Sequence, residues 1–236
     1  MTGFLDRLRI ELPIVQAGMG GGLAGHRLAA AVSDAGGLGT IGLLARPEEL
    51  RREIAAARAL TAKPIAVNLL LPFARGGHWE AASHADVVVT FWGPPKRRVP
   101  GPWIHQCGSV AEALRARTAG ADAVIAQGAE AGGHVRGRLP ALELLARIRA
   151  AVPRDYPVLC AGGVADAADA TAMLRAGADA AVAGTRFLVS EESGAHAAYK
   201  QHLLAAHETI LTELFGAGWP APHRVVANAA TERWLA

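Results

Sequence analysis

Two stretches of this chain say the same thing twice. Ala119-Gly120-Ala121-Asp122-Ala123-Val124-Ile125-Ala126 and Ala176-Gly177-Ala178-Asp179-Ala180-Ala181-Val182-Ala183 each read as a helix stop, a glycine turn and a short apolar run. A glycine in that place ends a helix through a left-handed cap. The apolar run after it suits a buried strand and is too short for a useful helix. Asp34-Ala35-Gly36-Gly37-Leu38-Gly39 repeats the junction more loosely. A chain that keeps turning from helix straight into buried strand is building βαβ units around a parallel sheet covered on both faces.

Strand signals of this kind fall at Pro13 to Ala17, Leu38 to Leu43, Pro64 to Leu71, Asp86 to Trp92, Trp103 to Gln106, Asp122 to Ala126, Pro157 to Ala161 and Asp179 to Ala183. Helical patterns lie between them. The one from Val110 opens on a capping box, Ser109 with Glu112 three residues on, and the one after Asp166 has that aspartate as N-cap. Eight such strands alternating with helices predict a (β/α)8 TIM barrel, with a doubly wound open sheet as the alternative. Two places break the rhythm. Gly93 to Pro102 carries four prolines and two glycines, which forbid a helix, so the crossover after the fourth strand is expected to be a loop and the wall near Trp92 and Trp103 to be thinly covered. The barrel is expected over residues 1–190, and 191–236 as a helical extension packed on it, with helical character from His196 to Phe215.

The 236 residues are 51% hydrophobic, enough for one large core. The net charge of +3 is small, and Arg51-Arg52 and Lys96-Arg97-Arg98 lack interleaved stacking aromatics, which argues against nucleic acid as a partner. Cys107 and Cys160 form no framework or CxxC motif and read as reduced, buried thiols. No segment has both the length and the freedom from charge of a membrane span, and no basic region feeds an apolar run at the start, so the chain reads as soluble and cytoplasmic. His202 and His207 lie five apart, the wrong spacing for two ligands on one helix face, and no metal is assigned.

In a TIM barrel the loops after the strands gather on one face and carry function. That selects Gly18 to Gly22 with Met19, Asn68, Phe91 to Gly93, Gln106, Gln127 to His134, Gly162-Gly163 and Gly184-Thr185. The last two pairs come after the seventh and eighth strands, where exposed amides ahead of a helix suit a phosphate. Asn68 and Gln127 are neutral amides able to meet a heteroaromatic edge, or, for Asn68, to cap the strand's own backbone. In Gln127-Gly128-Ala129-Glu130-Ala131-Gly132-Gly133-His134 the small residues leave the backbone bare, and the stretch ends on an imidazole. Such a loop lets something flat approach its main chain, and a histidine of ordinary pKa can take or give a proton there.

These segments resemble the nitronate monooxygenases, formerly called 2-nitropropane dioxygenases. The likeness runs through PIVQAGMGGG at Pro13, GGLGTIG at Gly36, VNLLLP at Val67, AQGAEAGGH at Ala126, AGGVAD at Ala161 and AGTRFLVSEES at Ala183. It implies an FMN-dependent barrel in which Met19, Asn68, Gln106, Gln127, Gly132, Gly133, Gly162, Gly163, Gly184 and Thr185 hold FMN and His134 is the catalytic base. Gly18 stands where the family usually has proline, Val182 where many members have a flavin-contacting glutamine, and the chain stops where longer members continue into a helical cap. The implied partners are a small-molecule substrate and dioxygen, and whether the chain acts alone or as a homodimer stays open. Three readings remain at this point: oxidation of alkyl nitronates by dioxygen, an NAD(P)H-dependent reduction of a quinone or enoyl thioester on the same flavin, and a phosphate-binding barrel without catalysis.

Overall fold

A computed structural model of the chain describes residues 3–94, 101–215, 219 and 221–235. The eight predicted strands all form: β1 (Ile14–Gln16), β2 (Gly39–Ile41), β3 (Ile65–Leu70), β4 (Val87–Phe91), β5 (Trp103–Cys107), β6 (Ala123–Gln127), β8 (Val158–Ala161) and β9 (Ala181–Ala183). Between β6 and β8 lies a two-residue strand, β7 (Gly133–His134), that belongs to a different sheet. The large sheet runs β1-β9-β8-β6-β5-β4-β3-β2 with every pairing parallel. A parallel bridge between Val15 and Leu38, with Gln16 N–H donating to the Leu38 carbonyl at 2.9 Å, joins its two ends. This is a TIM barrel.

Alternation along each strand sorts the core into two layers. One set, including Val15, Leu38, Ala66, Val89, Ile104, Ile125, Leu159 and Val182, fills the barrel interior, and the start of the chain plugs it with Phe4, Leu5, Leu8 and Ile10. The other set packs the outer face of the sheet against the helices, through Ile41, Val67, Trp103, Val124 and Cys160 and, from the helix side, Leu50, Ile54, Leu144, Leu145 and Ile148. Both cysteines are buried and free.

The repeated junction has a physical basis that its sequence only hints at. Gly120 and Gly177 hold φ of +89° and +100°, the left-handed cap. The aspartate two residues later then reaches sideways: Asp122 accepts the first amide of β5 from Trp103 at 2.9 Å, and Asp179 accepts that of β8 from Val158 at 2.7 Å. Asp86 does the same for Ile65 at the start of β3, at 2.8 Å. Arg149 pairs with Asp179, and Arg58 with Asp86. At the start of helix Val110–Thr118, Ser109 accepts the Glu112 amide at 3.3 Å, but the Glu112 carboxylate takes the Gly108 amide at 2.7 Å, so only half of the expected capping box forms. Asp166 and Asp169 form the reciprocal box at helix Ala167–Arg175.

The connection from β4 to β5 contains no helix among the described residues; its expected loop, Gly93 to Pro102, falls partly on 95–100, which lie outside them. The thin wall expected beside Trp103 does not exist at that residue. Trp103 is 1% exposed, and its indole N–H donates to Thr90 at 2.8 Å, which in turn meets His105 Nδ1 at 2.7 Å. The extension also departs from its reading. It is helical at Ala197–Ala205 and Ala229–Leu235, but where the sequence reads as helix through Phe215 it forms β10 (Thr209–Thr212), which pairs antiparallel with β11 (His223–Val226). Strand β11 in turn pairs with β7, which ties the tail to the barrel mouth.

Candidate active site

The residues at and just beyond the carboxyl ends of the strands converge on the mouth of the barrel. Asn68, Gln106 and Gln127 each lie two residues beyond an interior side chain, Ala66, Ile104 and Ile125, so they face the same way one layer higher. They replace the apolar interior with a polar rim. Asn68 is 6% exposed, and a Cβ on Gly18 would fall 2.2 Å from the Asn68 Cβ, so Asn68 keeps its place only because residue 18 has no side chain. A side chain at residue 18 would collide with it.

The end of the mouth where a phosphate is expected is lined by backbone. Gly162 and Gly163 have φ of +126° and +74°, which turns their amides out of the strand direction. Among the described residues no acceptor meets the N–H groups of Gly162, Gly163, Gly184 or Thr185. The helix after the glycine turn is different from the expected anion site, because Asp166 and Asp169 already occupy the amides of Ala165, Asp166, Ala168 and Asp169. The bare amides are therefore those of the glycine turn itself. Across from it, a Cβ on Gly132 would come within 2.5 Å of Thr185 Oγ1, and one on Gly184 within 3.8 Å of Met19 Sδ. Met19, Gly132, Gly184 and Thr185 thus share one rim. Bare amides, positive-φ glycines and a polar ring above an apolar interior fit a flat cofactor bearing a phosphate.

Three residues of the long loop have duties the sequence did not show. Gln127 spends both ends of its amide on the loop backbone, Nε2 donating to the His134 carbonyl at 2.8 Å and Oε1 accepting the Arg136 amide at 2.9 Å. In this arrangement it shapes the loop. Glu130 accepts the first amide of helix Ala141–Ala151 at 3.0 Å, replacing the cap that Pro140 cannot provide. Arg136 pairs with Glu112 and lays its guanidinium 5.2 Å from the Trp92 ring centre.

His134 lies in an aromatic wall. Its ring centre is 6.0 Å from Trp92, 4.4 Å from Trp219 and 3.7 Å from His223. Phe73 and Trp92 also contact Trp219 edge-on, at 4.9 and 4.8 Å. Trp92 holds φ of +68°, a left-handed conformation that bulky residues rarely adopt. Burial, with the neighbouring His223 adding to it, pushes the His134 pKa down to about 4. The imidazole expected to titrate near neutrality is uncharged there. His223 and Trp219 come from the tail, and no local motif marks them; the β-branched run at Val225-Val226 was the available sign of their strand. Among the described residues no three metal-ligating side chains cluster, and no helix is long and apolar enough to cross a membrane.

With this geometry in view, the comparisons with known proteins decide the family. The family model of nitronate monooxygenase matches residues 3–93 and 101–235. The chain belongs to the nitronate monooxygenase family. It is 32% identical to a probable nitronate monooxygenase of Bacillus subtilis, over 91% of this chain and 77% of that one. It is 33% identical to a (3aS,4S,5R,7aS)-5-hydroxy-7a-methyl-1-oxo-octahydro-1H-indene-4-carboxyl-CoA dehydrogenase of Mycobacterium tuberculosis, over 98% of this chain and 68% of that one. Among solved structures, FabK from Thermotoga maritima superposes with a TM-score of 0.88 at 35% identity, covering 98% of this chain and 76% of FabK. A nitroalkane oxidase from Streptomyces ansochromogenes gives 0.85 at 31%, covering 98% and 80%. Members of this family are oxidoreductases and typically flavin-dependent.

Proposed function

We propose that this chain binds FMN across the barrel mouth and oxidises small alkyl nitronates with dioxygen to carbonyl compounds and nitrite. The amides of Gly162, Gly163, Gly184 and Thr185 would hold the phosphate; Met19, Asn68, Gln106, Gly132 and Gly133 would border the ring, and Gln127 would support it through the loop. The flavin, when bound, supplies the one-electron chemistry between nitronate and dioxygen. The chain's own part is to seat the substrate, exclude water and control one proton.

The observation that carries this reading is the neutral His134 imidazole inside an aromatic wall. An imidazole with a pKa near 4 is a weak base at pH 7 and is poorly matched to pulling an α-proton from a neutral nitroalkane. A nitronate arrives without that proton. It needs a hydrogen-bond donor and a dry seat, and a neutral imidazole keeps one N–H to donate. Oxygen uptake with ethyl nitronate and with nitroethane at pH 7 tests this. Turnover of the nitronate should exceed that of the neutral acid by roughly 10²-fold, the scale of a well-matched general base that is missing here. Equal turnover of nitroethane would contradict the reading and restore His134 as a base.

A second reading has a specific observation behind it. A relative of comparable identity is named as a carboxyl-CoA dehydrogenase, which supports an FMN-dependent NAD(P)H oxidoreductase acting on an enoyl thioester or a quinone at the same mouth. Flavin reduction by NADH or NADPH separates the two.

A further inference from the structure

Strand β7 is two residues long, too short to persist by itself, and one of the two is His134. What orders it is β11. His223 lies opposite His134 and Arg224 opposite Gly133. The Val135 amide donates to the Pro222 carbonyl at 2.8 Å, and Arg224 Nε donates to the Ala129 carbonyl at 2.9 Å. Because residues 135 and 222 form the hydrogen-bonded pair, the next pair along, 134 and 223, is the non-hydrogen-bonded one, in which facing side chains come closest. That register accounts for two imidazoles with centres 3.7 Å apart and planes tilted by 52°.

We propose that His223 is a positioning residue for the reaction: its ring sets the tilt of the His134 imidazole and adds to burial in disfavouring a charge there, and the hairpin carrying it holds His134 at the barrel mouth. The proposal rests on the functional reading in which His134 faces the substrate. Two imidazolium rings at this separation repel one another, so the pair takes up its protons in coupled steps and carries at most one of them readily. His223 Nδ1 is buried and makes no hydrogen bond among the described residues, and burial holds the His223 pKa below the usual histidine value, outweighing the Ala221 backbone, which favours a charge on this ring. The other groups around His134 do not offset this. Trp92 and Trp219 are neutral, the Arg136 guanidinium sits over Trp92 and is paired with Glu112, and Arg224 points to the Ala129 carbonyl and to Thr209. Burial contributes the larger part of the effect and His223 the smaller.

The test uses the full chain with its cofactor and two variants, His223→Phe, which keeps a ring against His134, and His223→Ala, which does not. The proton affinity of His134 is read from its imidazole resonances against pH, assigned by loss of signal in His134→Gln. The expected midpoint rises from wild type to His223→Phe and rises further in His223→Ala, where water reaches His134. Nitronate kcat should fall roughly tenfold or more in His223→Ala through loss of orientation, with KM changing less. A His134 midpoint and kcat both unchanged in His223→Ala would overturn the proposal. A shifted midpoint with no activity on nitronate in any form, wild type included, would leave the His134–His223 coupling standing and remove the nitronate reading.

Discussion

At the amino ends of β3, β5 and β8, a carboxylate answers the first amide of each strand, from Asp86, Asp122 and Asp179, and two of these also hold an arginine. At the carboxyl ends, the amides of Gly162, Gly163, Gly184 and Thr185 meet no protein acceptor among the described residues. Aromatic rings crowd the same end. One end of the barrel satisfies its strand amides with side chains; the other leaves the amides of Gly162, Gly163, Gly184 and Thr185 bare and spends backbone strain at Trp92. The difference teaches where each kind of residue belongs. Side-chain braces serve the fold, and bare backbone is left open to a ligand.

The comparison breaks if the braced end proves dispensable. Asp179 is partly buried and holds both Arg149 and the Val158 amide. Removing it in Asp179→Ala leaves the Val158 amide without its acceptor and Arg149 with only the Gly177 and Tyr156 carbonyls, which should cost about 1–3 kcal/mol in urea unfolding. The folded fraction should bind the cofactor as before. A loss below about 1 kcal/mol, the scale of an exposed ion pair, would show that this end is not braced as described.

Two of the depressed imidazoles, His105 and His134, sharpen the contrast. His105 is 2% exposed in the wall, and burial pushes its pKa down to about 4. An unfolded imidazole titrates near ~6.5, so the unfolded chain binds the proton first and stability is lost as pH falls from there toward 4. The contribution of this one residue is roughly 3 kcal/mol across that window. Wild type should therefore lose more stability between pH 7 and 4 than His105→Gln does. Equal slopes would mean that His105 is not held neutral by the fold. His134, half-buried at the mouth, should show its protonation in catalysis more than in stability.

The smallest of these effects probes the functional end. Gly163 holds φ of +74°, and a Cβ there would meet the Glu130 Cβ at 3.6 Å, an ordinary contact, so an alanine meets strain but little crowding. The strain should be about 1–2 kcal/mol. If it is relieved by turning the amide away, FMN affinity by fluorescence titration falls roughly tenfold, with only a slight change in the melting temperature. An unchanged affinity would take Gly163 out of the phosphate cradle.

Much of this was legible in the sequence, for local reasons. The strands are continuous apolar runs ended by glycine, and buried parallel strands leave that mark because both faces are covered. The loop residues were legible because each comes directly after a strand. What escaped was built by distant pairing. Thr209–Thr212 lies where the sequence reads as helix, and it is a strand because β11 pairs with it on one side while itself reaching β7 on the other. Strand propensity is decided by such neighbours more than by the residues themselves. For the same reason His223 and Trp219 could not be read as neighbours of His134, and the pKa of His134 could not be read from its loop. Gln127 was legible as a mouth residue but not in its duty, since its partners are backbone groups of the loop it precedes.

Nitronate oxidation is tested most directly by an anaerobic visible absorption spectrum of the flavin-loaded protein, mixed in parallel with ethyl nitronate, NADH and NADPH. The expected result is that the nitronate bleaches the flavin bands and that neither nucleotide does on the same timescale. Bleaching by a nucleotide with none by the nitronate would contradict it and make the chain a nucleotide-dependent reductase.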